Sequence, residues 1–223
     1  MKKKDLLLDL YEPQGKMVPR QCPGMILLHG GGFTVGYKSM KSVADLCYEM
    51  ASRGYVCVSI DYRLHDDNLQ REPVIMAIED ATAAVNWMID NSEKYHISRN
   101  HLVLGGSSAG AITAMLMAYD NRVKQLPLQL IIDLWGSIKI NPKHIRNEGP
   151  PIIIVHGKKD IRVDFTEAEK VAKGAEERKI PYEFIAVPNA DHEMDLSIKL
   201  DGITIYQKIA DFAFKIMRLE SLK

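Results

Sequence analysis

The chain has 223 residues, of which 46% are hydrophobic and 26% charged, a composition typical of a globular protein that buries a sizeable core. Its 29 basic and 29 acidic residues balance, so no net charge draws it to nucleic acid or to an anionic membrane, and neither partner is expected. No segment approaches the run of about eighteen apolar residues that a membrane-spanning helix needs, and we expect a cytoplasmic protein.

The amino-terminal segment and the cysteines support that location. The basic run 1–4 could open a signal peptide, but Asp5 and Asp9 bracket the short leucine run between them and no small-residue cleavage site follows. We therefore expect a strand over 6–11 behind a solvated basic tip. An odd number of cysteines outside any C-x-x-C spacing indicates buried thiols in a reducing compartment, not a disulfide framework or a zinc site. They are Cys22, Cys47 and Cys57.

Short apolar runs alternate with helical patterns along the whole chain. The runs that predict strands are 6–11, 24–28, 55–61, 101–104, 128–135, 152–155 and 182–187. The segments with helical spacing are 39–53, 73 to about 95, 108–119, 164–179 and 202–219. This alternation predicts an α/β fold with a mainly parallel central sheet and helices on both faces. Because no linker, repeat or low-complexity segment interrupts it, we expect a single domain over 1–223.

Polar clusters follow the predicted strands, and parallel sheets gather functional groups at those strand ends. The clearest is Gly106-Ser107-Ser108-Ala109-Gly110, a G-x-S-x-G between an apolar run and a small-residue helix. In the context of strand, sharp turn and helix, this pattern indicates a nucleophile elbow with Ser108 exposed on a strained turn. A Gly/Ser-rich turn without a catalytic role is the alternative, because the motif is short.

A serine hydroxyl needs a base within hydrogen-bond reach, and the base needs an orienting acid. His192 is the predicted base because it lies in a polar loop between the last strand and the closing helix. His29 and His156 also follow strands, but each is followed at once by glycine, so we assign both to packing and loop hydrogen bonding.

Asp160, shortly after the isoleucine-rich strand, is the predicted acid. Asp164 is the alternative, although its place before a charged helix favours an N-cap role. Asp191 adjoins the base, but adjacent side chains seldom point at each other. Ser108, Asp160 and His192 occur in the chain order of a known class of hydrolase triads.

An oxyanion hole would complete such a site, because attack on a carbonyl leaves negative charge that backbone N–H groups stabilise. The amide of Ala109, directly after the serine, is one predicted donor. Gly30, Gly31 and Gly32 offer the others, since three glycines after a buried strand let the backbone approach a substrate closely. A phosphate-binding loop is the alternative, but neither G-x-G-x-x-G nor G-K-[ST] occurs in this stretch.

Together these motifs resemble the α/β-hydrolase serine esterases of the hormone-sensitive-lipase and bacterial acetyl-esterase type. The matching segments are His29-Gly30-Gly31-Gly32-Phe33, Asp61-Tyr62-Arg63-Leu64, Gly106-Ser107-Ser108-Ala109-Gly110, His156-Gly157 with Asp160, and Asp191-His192. The resemblance covers nearly the whole chain and implies an ester hydrolase. It assigns Ser108 as nucleophile, His192 as base, Asp160 as acid, and Gly31, Gly32 and Ala109 as oxyanion-hole donors. It makes Asp61 and Arg63 structural, through a buried ion pair or a turn.

The chain departs from that family where a cap domain is often inserted. The segment 137–149 is only a short irregular connection, so we expect the cap to be absent or minimal. An open site favours short acyl groups, or an acyl chain on a bulky polar alcohol such as a sugar. Phe33, Tyr37 and Trp135 are predicted either to line the mouth of this site or to pack in the core.

The leading hypothesis is a serine carboxylesterase or deacetylase that cleaves a small-molecule ester through an acyl-enzyme on Ser108. The same triad would also serve an amidase, an arylformamidase or a peptidase. A non-catalytic binding protein of the same fold is the third hypothesis. The sequence carries no metal or cofactor signature, so no cofactor is expected, and a homodimer is left open as the assembly.

Overall fold

The centre of the molecule is a sheet of seven strands. A computed structural model describes residues 5–14, 21–66, 72–138 and 140–219. The strands are β1 (Leu8–Tyr11), β2 (Cys22–Leu28), β3 (Val56–Ile60), β4 (Ile97–Ser107), β5 (Leu128–Leu134), β6 (Ile152–Gly157) and β7 (Tyr182–Val187). They lie in the order β1-β3-β2-β4-β5-β6-β7, and each described pairing is parallel apart from that of β1 with β3. The prediction of a mainly parallel sheet is confirmed.

Helices cover both faces of this sheet, as predicted. They are α1 (Lys41–Ala51), α2 (Pro73–Asp90), α3 (Ala109–Tyr119), α4 (Phe165–Glu177) and α5 (Ile205–Met217). One buried cluster joins the sheet to α2, α3 and α4, and a second cluster joins its other face to α1 and α5. β2 and β6 are buried along their whole length, as expected of continuous apolar runs between two helical layers.

The boundary between α2 and β4 differs from the sequence-based expectation. Helical spacing predicts a helix to about residue 95. The helix instead ends at Asp90, where the side-chain amide of Asn91 donates to the Trp87 carbonyl. β4 begins at Ile97, before the apolar run, because its first residues pair with the start of β2. Backbone pairing, which hydrophobic patterning does not report, extends this strand.

A two-stranded hairpin precedes α5, so the predicted helix start at Gly202 is wrong. Lys199–Leu200 and Ile203–Thr204 pair antiparallel as β8 and β9. Asp201 and Gly202 have φ of 54° and 80°, as in a two-residue type I′ turn, for which Asp-Gly is a favoured sequence. The Thr204 side chain then accepts an amide of the first helical turn and caps α5.

The parallel strands place their carboxyl ends along one edge of the sheet. The loops that follow β2, β4, β5, β6 and β7 at this edge begin at His29, Ser108, Trp135, Lys158 and Pro188. Segments far apart in sequence therefore meet where the site residues are predicted.

Three properties of the rest of the molecule bear on function. The three cysteines lie buried in the core, as predicted. Across the described ranges, no group of three or more His, Cys, Asp or Glu side chains is arranged to hold a metal ion. In those same ranges, no helix has both the length and the apolar character needed to cross a membrane.

Candidate active site

Ser108 occupies the turn between β4 and α3. Its φ of 51° and ψ of −114° lie outside the regions that non-glycine residues ordinarily adopt, and its amide donates to the Leu134 carbonyl at 2.9 Å. Gly106 and Gly110 flank it, and a Cβ on either would overlap the carbonyl oxygen of Leu28. Packing therefore requires both glycines, and the turn has the strained strand-to-helix geometry of a nucleophile elbow.

Hydrogen bonds join the three residues predicted as nucleophile, base and acid. Oγ of Ser108 lies 3.0 Å from Nε2 of His192, and Nδ1 of the same ring lies 2.7 Å from Oδ2 of Asp160. The Asp160 side chain is fully buried, and the His192 side chain is 6% exposed. With a carboxylate as its partner, Nδ1 carries the proton, and Nε2 faces the serine as an acceptor. This arrangement can take up the hydroxyl proton of Ser108.

The Asp160 carboxylate is also held from its other side. Oδ1 accepts the amides of Arg162 and Val163, each at 2.9 Å, and so closes the turn that carries it. Asp164 has a different role, because its side chain accepts the amide of Thr166 and caps α4. Hydrogen bonding to Thr166 lowers the pKa of Asp164. The structure thus separates the two carboxylates that the sequence leaves as alternatives.

Asp191 joins the loop of the histidine to the loop of the acid. Its Oδ1 accepts the His192 amide at 2.7 Å and the Ile161 amide at 3.3 Å, and these hydrogen bonds lower the pKa of Asp191. The side chain serves backbone amides, in keeping with the expectation that it does not aim at the neighbouring imidazole. Sequence reasoning misses this contact because one partner lies thirty residues away along the chain.

The two other histidines at strand ends have contacts of their own, and those of His156 include the predicted acid. His29 is 1% exposed, its Nδ1 lies 2.6 Å from the Gly30 carbonyl oxygen, and its ring stacks on Tyr62 with centroids 4.2 Å apart. Burial lowers the pKa of His29, so this ring stays neutral. His156 is also buried, and its Nε2 lies 3.1 Å from Oδ2 of Asp160. Packing and loop hydrogen bonding describe the contacts of His29 but those of His156 only in part.

The glycine loop after β2 lies beside the serine. A Cβ on Gly30 would be 3.3 Å from the Cβ of Ser108. Gly31 and Gly32 have φ of 112° and 60°, in the region that favours glycine. In the part of the chain that is described, the amides of Gly31, Gly32 and Ala109 donate to no protein acceptor, so they are available to a substrate oxygen. Free amides beside a nucleophile are what an oxyanion hole needs.

The three aromatic side chains predicted to line the mouth or pack in the core differ in burial. Tyr37 is exposed, Phe33 is half-buried and Trp135 is fully buried. Trp135 belongs to the core and meets the His192 ring edge to face, with centroids 6.4 Å apart. Its φ of 46° is positive, as is that of Ser108.

Asp61 and Arg63 are structural, but the predicted buried ion pair takes another form. Arg63 binds Asp80 of α2 at 2.8 Å and Glu79 at 2.7 Å, and its side chain is 38% exposed. Asp61 accepts the Lys38 amide at 2.8 Å. The motif therefore connects the end of β3 to α2 and to the loop before α1.

The chain is similar in sequence to known families of proteins. A family model described as BD-FAE matches residues 8–141, and the model of the prolyl oligopeptidase family matches residues 135–220. Esterase LipQ of Mycobacterium tuberculosis is 22% identical over 250 aligned positions, which cover 92% of this chain and 58% of that protein. The chain spans between 21% and 58% of the length of the curated relatives it matches.

Solved structures share the whole fold. The α/β-hydrolase enzyme MGS-M1, from a Medee basin deep-sea metagenome library, has a TM-score of 0.78 at 18% identity, covering 98% of this chain and 96% of that one. Esterase 2 of Thermogutta terrifontis has a TM-score of 0.79 at 21% identity, covering 99% of this chain and 89% of that one. The α/β-hydrolase fold that the motifs imply is therefore confirmed.

Proposed function

The chain belongs to the BD-FAE family, and from this premise and the geometry of its site we propose that it is a serine hydrolase of carboxylic esters. The observation that carries the proposal is the unbroken hydrogen-bonded line from Oγ of Ser108 through His192 to Asp160, with steps of 3.0 and 2.7 Å. Relatives named as esterases, LipQ among them, support it.

The reaction proceeds in two proton-coupled steps. His192 takes the serine hydroxyl proton while Oγ bonds to the ester carbonyl carbon, and the imidazolium that forms is stabilised by Asp160. The amides of Gly31, Gly32 and Ala109 stabilise the charge on the carbonyl oxygen. The imidazolium then gives its proton to the departing alcohol, which leaves an acyl-enzyme. Water attacks the acyl carbon, His192 takes its proton, and transfer of that proton to Oγ releases the carboxylic acid.

The substrate class is a short-chain ester, or a short acyl group on a polar alcohol such as a sugar. The serine is only partly buried, and Tyr37 beyond the glycine loop is exposed, an arrangement that favours a small acyl group over a long apolar chain. Esterase 2 of Thermogutta terrifontis, which shares the fold, has been solved with bound butyrate and with bound propionate.

A chain-length series with two matched serine variants tests the proposal. p-Nitrophenyl acetate and butyrate should be hydrolysed much faster than the palmitate ester. Ser108→Ala should lower kcat/KM by about 10³-fold or more. Ser107→Ala is the control, because it removes the neighbouring hydroxyl, which lies 3.2 Å from Oγ of Ser42, and leaves the nucleophile in place. Wild-type rates in Ser108→Ala would refute the proposal.

Covalent labelling tests the nucleophile independently of the substrate. Esterase 2 of Thermogutta terrifontis has been solved phosphorylated by paraoxon. Paraoxon or a fluorophosphonate should add one group to this chain, at Ser108, and Ser108→Ala should stay unlabelled by mass spectrometry. A folded wild-type protein that takes no label would instead favour a non-catalytic binding protein.

Amide hydrolysis is the second candidate, and the match of residues 135–220 to the prolyl oligopeptidase family favours it. That segment contains Asp160 and His192, so the acid and base lie in the part that resembles a peptidase. Parallel assays on acetyl esters, formyl-kynurenine and aminoacyl anilides decide between the two. If kcat/KM is higher on an amide than on every ester, amide hydrolysis replaces ester hydrolysis as the proposed function.

A further inference from the structure

His156 lies against the Asp160 carboxylate on the side away from the serine. Its Nε2 is 3.1 Å from Oδ2, the same oxygen that lies 2.7 Å from Nδ1 of His192. The side chains of His156 and Asp160 are both fully buried. One oxygen of a buried carboxylate therefore lies against two histidine rings. One of these rings, that of His192, also hydrogen-bonds to Ser108.

The neighbours of the His156 ring determine where its proton lies. Nε2 is also 2.9 Å from the Val163 carbonyl oxygen, so both atoms within its reach are acceptors. Nδ1 is buried and has no hydrogen-bond partner among the described residues. A proton on Nδ1 would be a buried, unsatisfied donor, which is costly. The ring is therefore the Nε2–H tautomer: it donates to the Val163 carbonyl, and the same N–H lies 3.1 Å from Oδ2 of Asp160.

The turn after β6 is built around this contact. A Cβ on Gly157 would overlap the carbonyl oxygen of Ala190, so glycine at this position lets the loop of His192 lie directly on the turn. Phe165, the first residue of α4, packs edge to face on the His156 ring, with centroids 6.0 Å apart. The ring is thus confined between the carboxylate and an aromatic neighbour.

We propose that His156 is a positioning residue for the hydrolysis, an inference that rests on the function proposed above. Its Nε2–H donates to the Val163 carbonyl and so fixes the turn whose amides, those of Arg162 and Val163, hold Oδ1 of Asp160. The same N–H lies 3.1 Å from Oδ2, the oxygen that faces His192. The carboxylate then accepts three hydrogen bonds, from these two amides and from Nδ1 of His192, and the N–H dipole of His156 beside Oδ2 favours this one orientation. Rotation about its Cβ–Cγ bond is blocked before His192 becomes charged, so the imidazolium forms in a site that needs no reorganisation.

Two substitutions of similar size separate this role from space filling. His156→Met removes the donor, and His156→Gln restores an N–H at the position of Nε2. On p-nitrophenyl acetate, His156→Met should lower kcat about tenfold, equivalent to about 1.4 kcal/mol, and change KM by less than about twofold. His156→Gln should recover most of the lost kcat. Phe165→Leu, which removes packing against the ring but no donor, should keep the wild-type kcat.

A wild-type kcat in His156→Met, or equal losses in His156→Met and His156→Gln, would overturn the proposal, because the ring would then only fill space. Nitrogen-15 NMR of histidine-labelled wild-type protein gives a reading that does not depend on the folding of a variant. We expect His156 to carry its proton on Nε2, and a proton on Nδ1 alone would overturn both the donation to Val163 and the N–H beside Asp160. If the wild type hydrolyses none of the esters, the proposed function fails, while the tautomer still tests this contact.

Discussion

Asp160 and Asp164 lie on the same short segment, yet their carboxylates accept different donors. Asp160 is fully buried; it accepts two amides of its own turn and Nδ1 of His192, and Nε2 of His156 lies 3.1 Å from it. Asp164 is exposed and accepts the Thr166 amide at the start of α4. Because the charge on Asp160 faces His192 without intervening water, Asp160 is the carboxylate that stabilises an imidazolium there.

Replacing each carboxylate by its neutral amide separates the two roles. Asp160→Asn removes the charge and presents a donor to Nδ1 of His192, which favours the wrong tautomer, so kcat should fall by about 10³-fold or more. Asp164→Asn keeps a good N-cap residue, and kcat should stay at the wild-type value. Steady-state kinetics on an acetyl ester measures both, with circular dichroism as the control for folding. Equal losses in the two variants would contradict the assignment of the acid.

Among the structural elements, β2 and α3 approach each other too closely for side chains between them. Gly106 at the end of β4 and Gly110 in the first turn of α3 both face the carbonyl oxygen of Leu28. This close approach brings the elbow and the glycine loop side by side, which places the serine next to the free amides. The glycines of the motif therefore serve the site through the packing of elements.

A pair of glycine substitutions in two helices tests this packing. Gly110→Ala in α3 forces a Cβ onto the backbone of β2, which cannot yield easily, so the free energy of unfolding should fall by about 3 kcal/mol. Gly174→Ala in α4 has only the end of the Arg178 side chain within reach, at 3.7 Å, and should stabilise the protein by about 0.5–1 kcal/mol. Urea unfolding of both variants measures the difference. Equal effects would mean that the elbow has room for a side chain.

The sequence predicts the elements well where one signal dominates. The strands β2 and β6 coincide with apolar runs, because a strand buried on both faces has no exposed polar positions. The start of β4 is missed because its first residues are held by pairing with β2. The hairpin before α5 is missed although Asp201 and Gly202 carry its turn signal, because the helical pattern predicted from Gly202 continues through the second strand when only periodicity is counted.

For the molecule as a whole, the position of the site follows from topology. Parallel strands bring their carboxyl ends to one edge, so the sequence order alone predicts that Ser108, Asp160 and His192 meet. The contact of His156 with Asp160, and that of Asp191 with a loop thirty residues earlier, depend on side-chain directions and on distances between loops. Periodicity and motifs carry no information on either.

The stability of the whole molecule is coupled to a carboxyl in the middle of its sheet. Asp133 of β5 is fully buried; its Oδ1 accepts the Gly136 amide at 2.8 Å, and its Oδ2 has no partner among the described residues. Burial raises the pKa of Asp133 to about 7, and the hydrogen bond from Gly136 opposes this in part. At pH 5 the native protein therefore keeps a proton that the unfolded chain, with an ordinary carboxyl near 3.8, has lost.

The contribution of Asp133 to stability should consequently fall as the pH rises from about 4 to 7, and stay constant above that range. Between pH 5 and pH 8 the loss is about 3 kcal/mol, because each of the two pH units below the native pKa counts for about 1.4 kcal/mol.

Asp133→Asn removes this titration and keeps an acceptor for the Gly136 amide. The free energy of unfolding of the variant, relative to the wild type, should therefore rise by that amount over the same interval, as measured by urea unfolding at each pH. If the difference in free energy of unfolding between variant and wild type stays constant from pH 5 to pH 8, Asp133 is ionised in the native protein over that range. Its Oδ2 would then have a partner that offsets the cost of burying the charge.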